Sequence, residues 1–204
     1  MTAKEFWARF VSNEAFIRDE LSRPDTEETP AANAFALALE EVCLGLGFEM
    51  SHNHETGQCK LIITTDSNSE YFIAATHLVD HAPRVPNWTI QALVPPLKKY
   101  TNKYLESTIM MDDVHFKIKH LKGAITNYVP DEHLFGITFV LPFIFKNKDQ
   151  DRLQEALYLL VQEALGERRY ASQIQYVEIA YEKSDLFDYF SIDGIDASMQ
   201  EFGQ

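Results

Sequence analysis

Two histidines four residues apart are the first side chains of this sequence that could do chemistry. His77 and His81 fall in an apolar stretch that we predict to be a helix, where this spacing puts both rings on one face. Imidazole nitrogen is a common ligand of zinc and other transition metals. Asp80 lies beside the pair, and His52 and His54 precede it in a polar segment. The sequence therefore permits a metal site and a metal-dependent enzyme built on it.

Other signatures of catalysis do not accompany the histidine pair. A metalloprotease helix needs a glutamate directly after its first histidine, and that glutamate is missing here. The sequence has two cysteines, Cys43 and Cys59, which are too few for a zinc quartet or a disulfide framework. Adjacent acidic pairs such as Asp112 and Asp113 point in different directions and suit solvated turns. No phosphate loop or dinucleotide fingerprint occurs, so the sequence calls for no cofactor and favours a non-catalytic role.

Charge and composition restrict the class of partner. The 204 residues carry a formal net charge of −13, which disfavours binding to nucleic acid and suits a basic protein partner. Hydrophobic residues make up 46% of the chain, enough for a sizeable core. The longest apolar runs are too short to span a bilayer, and the N-terminus lacks the pattern of a signal peptide. We therefore expect a cytoplasmic protein that binds neither nucleic acid nor a membrane.

The elements that must position the histidines are a strand, a helix and a second strand within residues 59–97. Lys60–Thr65 is apolar and β-branched, as in a buried strand. Ser67 and Glu70 fit a capping box, and Pro83 ends the helix. The predicted inward face of this helix consists of Phe72, Ala75, Thr76, Val79 and Ala82. In the following strand, alternation predicts Trp88, Ile90, Ala92 and Val94 on the face towards the helices, with Thr89, Gln91 and Leu93 on the other.

The same region resembles a known group of proteins. Ala82-Pro83, Pro86, Trp88 and Pro95-Pro96 follow an apolar strand and a short helix, a pattern similar to an uncharacterised family of bacterial cytoplasmic α+β proteins. The resemblance covers residues 48–97, with a weaker echo at residues 176–179. It implies an α+β fold and a bacterial cytoplasmic origin, and it implies no activity.

Hydrophobic periodicity predicts further helices and strands on both sides of this unit. The helices are residues 2–22, residues 31–44 and one that begins after Asp149. The strands are residues 48–51, 114–118, 124–129, 134–145 and 174–179, of which 134–145 is the buried central strand. Residues 23–30 form an acidic linker, residues 98–107 are either a short helix or an ordered loop, and the last two residues are mobile.

These elements predict an α+β protein with one mostly antiparallel sheet of about five or six strands and helices packed on one face. The chain would be a single domain over 1–204. It would comprise a helical segment at 1–47, an α+β core at 48–180, and an acidic aromatic tail at 181–204 that docks on a folded surface. The alternative is two α+β lobes divided near residues 98–107.

Aromatic residues outside the predicted core are the candidate binding residues. Tyr100 and Tyr104 follow the strand–helix–strand unit, and Phe187 and Tyr189 lie in the acidic tail. Tyrosine and other aromatics are enriched at protein interfaces, although packing at the edge of the core is the alternative for each. The sequence thus predicts a non-catalytic acidic binding or regulatory protein, immunity-like or inhibitor-like. The alternative function is a metal-dependent enzyme using His77 and His81.

Overall fold

The computed structural model describes residues 1–23, 30–111 and 114–202, and the chain forms two compact units, Met1–Val94 and Pro95–Gln204. Within the described residues there are seven helices and three sheets, so the predicted α+β class is confirmed. Most of the predicted 23–30 linker, the pair Asp112 and Asp113, and the last two residues lie outside the described part of the chain. Whether the two units fold as the single predicted domain stays a prediction.

Unit 1, residues 1–94, consists of three helices and a three-stranded sheet. Its helices are α1 (Ala3–Leu21), α2 (Pro30–Glu40) and α3 (Phe72–Asp80). Its strands are β1 (Gly47–Asn53), β2 (Gln58–Thr64) and β3 (Trp88–Ala92). β1 and β2 form an antiparallel hairpin, and β2 pairs in parallel with β3 after the α3 crossover. This is the strand–helix–strand unit expected from the sequence.

α1 begins at a capping box and buries an aromatic stripe. The Thr2 side chain accepts a hydrogen bond from the Glu5 amide, and the Glu5 carboxylate accepts one from the Thr2 amide. The buried residues of α1 include Phe6, Trp7, Phe10 and Ile17. The Trp7 indole donates to the main-chain oxygen of Leu78 at 2.7 Å, which fixes α1 against α3.

The start of α3 differs from the predicted capping box. Ser67 has φ 64°, a left-handed conformation that an N-cap residue does not adopt. Instead the Asn68 side chain accepts a hydrogen bond from the Glu70 amide and caps a short 3-10 turn that leads into α3. The most deeply buried residues of α3 are Ala75 and Leu78. Phe72, Val79 and Ala82 also pack against the core cluster, so the predicted inward face is confirmed at these residues and at Ala75, but it omitted Leu78.

The end of β3 breaks the predicted alternation of side chains. Leu93 has φ 64°, and its amide donates to the main-chain oxygen of Ile63 at 2.8 Å. This left-handed residue turns its own side chain into the cluster that contains Trp88, while Val94 lies outside that cluster. The inward placement of Trp88, Ile90 and Ala92 is confirmed, and the assignments of Leu93 and Val94 are wrong.

Unit 2, residues 95–204, contains the remaining helices and strands of the described chain. Its helices are α4 (Asn102–Leu105), α5 (Gln150–Leu165), α6 (Glu167–Gln173) and α7 (Ile195–Phe202). Its strands are β4 (Thr108–Met111), β5 (Val114–Lys117), β6 (Lys122–Val129), β7 (Leu134–Val140), β8 (Ile174–Ala180) and β9 (Phe190–Ser191). β4 and β5 form a separate ribbon, and the larger sheet has the order β8-β7-β6-β9.

The described strands therefore form sheets of three, two and four strands rather than one sheet of five or six. Antiparallel pairs still predominate, as expected, with parallel pairing at β2–β3 and β7–β8. Pro95 and Pro96 follow two residues after the end of β3, and neither can donate to a ladder. The described strands of unit 1 and those of unit 2 belong to different sheets.

The same order of elements occurs in both units. In each, an antiparallel hairpin is followed by a helical crossover to a parallel strand: β1-β2-α3-β3 in unit 1, and β6-β7-α5-α6-β8 in unit 2. The middle strand is the most buried, with Leu61 and Ile63 of β2 and Ile137 and Phe139 of β7 at 0% exposure. Each unit thus has its own core on its own sheet.

α5 begins after Asp149, as predicted. The Asp149 side chain caps it by accepting from the Arg152 amide at 3.1 Å. The buried residues of α5 are Leu153, Leu157, Leu160, Val161, Ala164 and Leu165. Gly166 ends the helix with φ 78°, and a Cβ there would lie 2.6 Å from the Pro96 nitrogen. Glycine is therefore required at this position both by conformation and by space.

β7 is shorter than the predicted central strand 134–145. It ends at Val140 because Pro142, which has no amide hydrogen, starts a 3-10 turn over Phe143–Asn147. In that turn Phe145 is buried, whereas Phe143 and Ile144 are 61% and 62% exposed. The sequence placed both of these side chains in the core, and that placement is wrong.

The C-terminal segment packs on unit 2. β9 pairs with β6 in antiparallel fashion, with Gly123 opposite Phe190. Beyond it, the buried side chains Ile192, Ile195 and Met199 join the core cluster of this unit. Residues 190–202 are therefore part of the folded structure of unit 2.

Candidate functional site

The acidic aromatic residues 181–189 form a loop between β8 and β9 whose shape is fixed by local hydrogen bonds. The Ser184 amide donates to the Tyr189 hydroxyl at 2.8 Å, and the Leu186 amide donates to the Ser184 hydroxyl at 3.3 Å. The Lys183 ammonium lies 5.3 Å above the centre of the Tyr189 ring, within the range of a cation–π contact. The loop is ordered by these short-range contacts rather than by a core of its own.

This loop presents apolar and acidic groups to solvent together. Leu186 is 86% exposed, the highest value among the exposed large hydrophobic residues of the described chain. Phe187 and Tyr189 are partly buried, so each shows only part of its ring. The acidic side chains of Glu182, Asp185 and Asp188 are exposed. An apolar side chain between carboxylates is a combination that a partner with both apolar and cationic groups would match.

A hydrogen-bonded tyrosine joins this loop to the exposed 3-10 turn. The Tyr181 hydroxyl donates to the Gln150 side-chain oxygen, and the Gln150 amide group donates to the Phe145 main-chain oxygen at 3.0 Å. The Tyr181 and Phe143 ring centres are 6.5 Å apart, in edge-to-face geometry. We call Phe143, Ile144 and residues 181–189 together the loop surface. Phe143 and Ile144 are adjacent in the turn, Leu186 lies five residues after Tyr181 in the loop, and all three are large apolar side chains of high exposure.

Phe143 and Ile144 are the residues of the loop surface that sequence reasoning missed. Their apolar character within a long apolar run indicated burial in a strand. The signal that could have found them is Pro142, which cannot continue a central strand. Leu186 lay within the segment singled out from sequence, but Phe187 and Tyr189 were named as the candidates beside it.

Tyr100 and Tyr104, the other predicted interface residues, lie at the edge of the unit 2 core. Both pack against the core cluster, with ring centres 5.8 Å apart. The Tyr104 hydroxyl donates to a Glu163 carboxylate oxygen at 2.7 Å. Burial, with a smaller effect from nearby carboxylates, raises the pKa of Tyr100 to about 12. Burial and the Glu163 hydrogen bond raise the pKa of Tyr104 well above its usual range. Their role in binding stays a prediction.

His77 in the last turn of α3 and His81, its C-cap residue, are exposed neighbours, as the spacing predicted. Their ring centres are 4.4 Å apart. The His81 Nδ1 donates to the main-chain oxygen of His77 at 2.8 Å. In the neutral tautomer with the proton on Nδ1, the Nε2 lone pair of His81 is available to a ligand. A hydrogen bond from one ring nitrogen to a carbonyl is also the usual support of a metal-binding histidine.

A complete metal site does not assemble around this pair in the described residues. His52 and His54 pack edge to face with ring centres 4.9 Å apart, on β1 and just after it. Throughout 1–23, 30–111 and 114–202, no three His, Cys, Asp or Glu side chains are grouped closely enough to hold one metal ion. His77 and His81 therefore stand as a two-ligand arrangement.

No helix within the described ranges is long and apolar enough to cross a membrane. No family model, no curated protein and no solved structure matches the chain significantly. The functional argument therefore depends on the geometry and chemistry of the surfaces themselves.

Proposed function

We propose that this protein is a non-catalytic binding or regulatory protein of the bacterial cytoplasm that engages a basic protein partner through the loop surface. The observation that carries the proposal is the exposure of Leu186, Phe143 and Ile144 on an ordered surface that also bears carboxylates. Exposed apolar residues scattered singly are ordinary, whereas a group of them rimmed by polar residues is typical of an interaction site.

The two kinds of side chain have different tasks in this proposal. The apolar groups supply the desolvated centre of an interface, where most of the binding free energy arises. The carboxylates of Glu182, Asp185 and Asp188, with the net charge of −13, attract a basic partner and orient it. An immunity-like or inhibitor-like role follows if this surface covers a basic functional site on the partner.

The test is affinity capture from the source cell with matched variants. We expect the parent protein to retain one specific basic protein. Leu186→Ala and Phe143→Ala should each raise the dissociation constant of the purified complex about tenfold or more. Ile73→Ala is the control, because Ile73 is 83% exposed but lies on α3 of unit 1. Capture should weaken with rising salt as the carboxylates are screened.

Two results would contradict this proposal. One is the absence of any specific partner at low as well as high salt. The other is a partner that binds the Leu186→Ala and Phe143→Ala variants as tightly as it binds the parent, since it would then use another surface.

The alternative function is a metal-dependent enzyme using His77 and His81, and the orientation of the His81 ring favours it. It predicts stoichiometric zinc, nickel or manganese in protein purified without an affinity tag, and loss of that metal in His77→Ala and His81→Ala. Elemental analysis that finds no metal, together with no thermal stabilisation by added divalent ions, would eliminate this alternative.

A further inference from the structure

A cavity of about 130 Å³ lies between α1 and α2 in unit 1. Its inner wall is aromatic: Phe6, Phe10 and Phe35 line it and are each buried to at least 95%. The Phe6 and Phe35 ring centres are 5.2 Å apart and those of Phe10 and Phe35 are 5.9 Å apart, both in edge-to-face geometry. Rings held in this way offer their edges and faces to a further aromatic ring.

The space exists because three of the four α2 residues that line it are alanines. Ala31, Ala34 and Ala38 line the cavity, and their spacing of three and four residues puts them on one side of the helix. Ala31 and Ala38 are buried, while Ala34 is exposed at the entrance. The sequence thus leaves a gap at positions where larger residues would have closed the contact between the two helices.

The entrance of the cavity is polar on its α1 side. Arg9 and Asn13 line it there and both are exposed, and Asn13 donates to the main-chain oxygen of Arg9 at 2.8 Å. Among the described residues, Arg9 is the only charged one in the lining. Its nearest carboxylate contact is Glu41 at 3.7 Å, beyond hydrogen-bonding distance, and both side chains are at least half exposed. A pair of this kind is weak, so the Arg9 guanidinium remains open to another carboxylate.

We propose that this cavity binds a small aromatic monocarboxylate, with its ring among the phenylalanines and its carboxylate on Arg9. A cavity of about 150 Å³ lined by apolar side chains takes up benzene, so the volume fits one six-membered ring. The guanidinium fork of Arg9 matches a carboxylate in two parallel hydrogen bonds. In a protein of net charge −13, the Arg9 cation at an apolar cavity favours an anion at that point.

The neighbouring charges also set the orientation of this ligand. Glu20, near the end of α1, contacts the N-terminal end of α2, where its buried carboxylate accepts a hydrogen bond from the Ala31 amide at 2.9 Å. Arg9 lies towards the other end of α2, beside Glu41. The ligand carboxylate is therefore repelled from the Glu20 end and attracted to the Arg9 end. This site belongs to unit 1 and does not depend on the partner proposed for the loop surface.

The experiment titrates the whole protein with phenylacetate and with its neutral analogue phenylacetamide, using calorimetry and amide NMR shifts. We expect phenylacetate to bind with a dissociation constant of the order of 0.1–1 mM and the amide about tenfold more weakly. Arg9→Met should remove this preference. Glu41→Gln should strengthen phenylacetate binding, because a competing carboxylate is gone. Lys4→Met is the control, since it removes another exposed cation of α1 that does not line the cavity.

A second variant tests the cavity itself. Ala34→Phe places a ring in the entrance from an exposed position. We therefore expect an unchanged melting temperature and loss of binding of both phenylacetate and phenylacetamide. The proposal would be overturned if the acid and the amide bound with equal affinity, or if Arg9→Met and Lys4→Met lost the same affinity for phenylacetate. It would also be overturned if about 10 mM phenylacetate caused no amide NMR shifts. Shifts confined to residues outside α1 and α2 would overturn it as well.

Discussion

Two groups of large apolar and aromatic side chains in this protein differ in how far they are buried. In unit 1, the rings of the α1–α2–β3 group are buried and meet one another edge to face; the group consists of Phe6, Trp7, Phe10, Phe35 and Trp88. In unit 2, the loop surface leaves Phe143 and Leu186 largely in water and Phe187 and Tyr189 partly so. Residue type is similar in the two regions, so type alone did not decide burial.

Local sequence context explains the difference. The unit 1 rings occur at helical spacings or on one face of a strand, so a single element presents them together to one core. The unit 2 side chains follow a proline or alternate with carboxylates in a loop, where no element has a continuous apolar face. The first pattern stabilises the fold and the second leaves apolar groups available for binding. The variants below test this division by comparing effects on stability with effects on binding.

The largest expected effect is that of Trp88→Ala. Trp88 is 9% exposed, its ring centre is 5.1 Å from that of Phe10, and its indole donates to a Glu14 carboxylate oxygen at 2.8 Å. We expect the free energy of unfolding to fall by about 3–5 kcal/mol, a large part of a typical domain stability of about 5–15 kcal/mol. Urea denaturation followed by circular dichroism measures it.

Trp88→Phe is the matched control, because it keeps a ring and removes the hydrogen bond to the carboxylate. Its expected cost is about 1–3 kcal/mol. A Trp88→Ala protein that unfolds like the parent but no longer binds its partner would identify Trp88 as an interface residue, and the comparison between the two aromatic groups would fail.

A smaller effect on stability is expected for Tyr104, which is partly buried, between the buried rings of unit 1 and the exposed side chains of the loop surface. Tyr104→Phe keeps the ring against the unit 2 core and removes the hydroxyl that donates to Glu163. We expect a loss of about 1 kcal/mol in the free energy of unfolding, with unchanged partner binding. If instead partner binding weakens while stability holds, Tyr104 is an interface residue, as the sequence predicted.

The dependence of the free energy of unfolding on alkaline pH tests whether Tyr100 is buried. The pKa of Tyr100 is about 12 in the folded protein, against about 10 for an unfolded chain. Between these values the folded state retains a proton that the unfolded state has lost, so the free energy of unfolding falls as pH rises from about 10 to about 12. Urea midpoints across this range should fall less steeply in Tyr100→Phe. Identical slopes in the two proteins would mean that Tyr100 is not buried as described.

Periodic elements were predictable from the sequence, and this includes most of the core. The start of α5 after Asp149 and the inward Trp88 follow from local pattern alone, because one element determines each. The histidine pair on α3 was placed correctly for the same reason. These features need no information from elsewhere in the chain.

Features that depend on single backbone conformations were not predictable in this way. The left-handed φ of Leu93 exchanged the faces of the last two residues of its segment, and Pro142 ended β7 early. Division into sheets of three, two and four strands depends on long-range pairing, which alternation does not specify. The exposure of Phe143 follows from the turn after Pro142, and the cavity beside Arg9 depends on how α1 packs on α2, which the period of each helix alone does not specify.

The smallest expected effect on stability is that of Leu186→Ala, and it tests the comparison from the other side. Leu186 is 86% exposed, so its truncation removes little buried surface, and we expect the free energy of unfolding to change by less than about 0.5 kcal/mol. Binding of the captured partner should nevertheless weaken about tenfold or more, because an apolar group at the centre of an interface is desolvated only in the complex. Leu44→Ala is a matched control, since Leu44 is 85% exposed in unit 1 and should affect neither quantity. A Leu186→Ala protein that loses stability while binding normally would mean that this side chain holds the loop in place. Leu186 would then stabilise the fold, as the buried rings of unit 1 do, and would not be a binding residue.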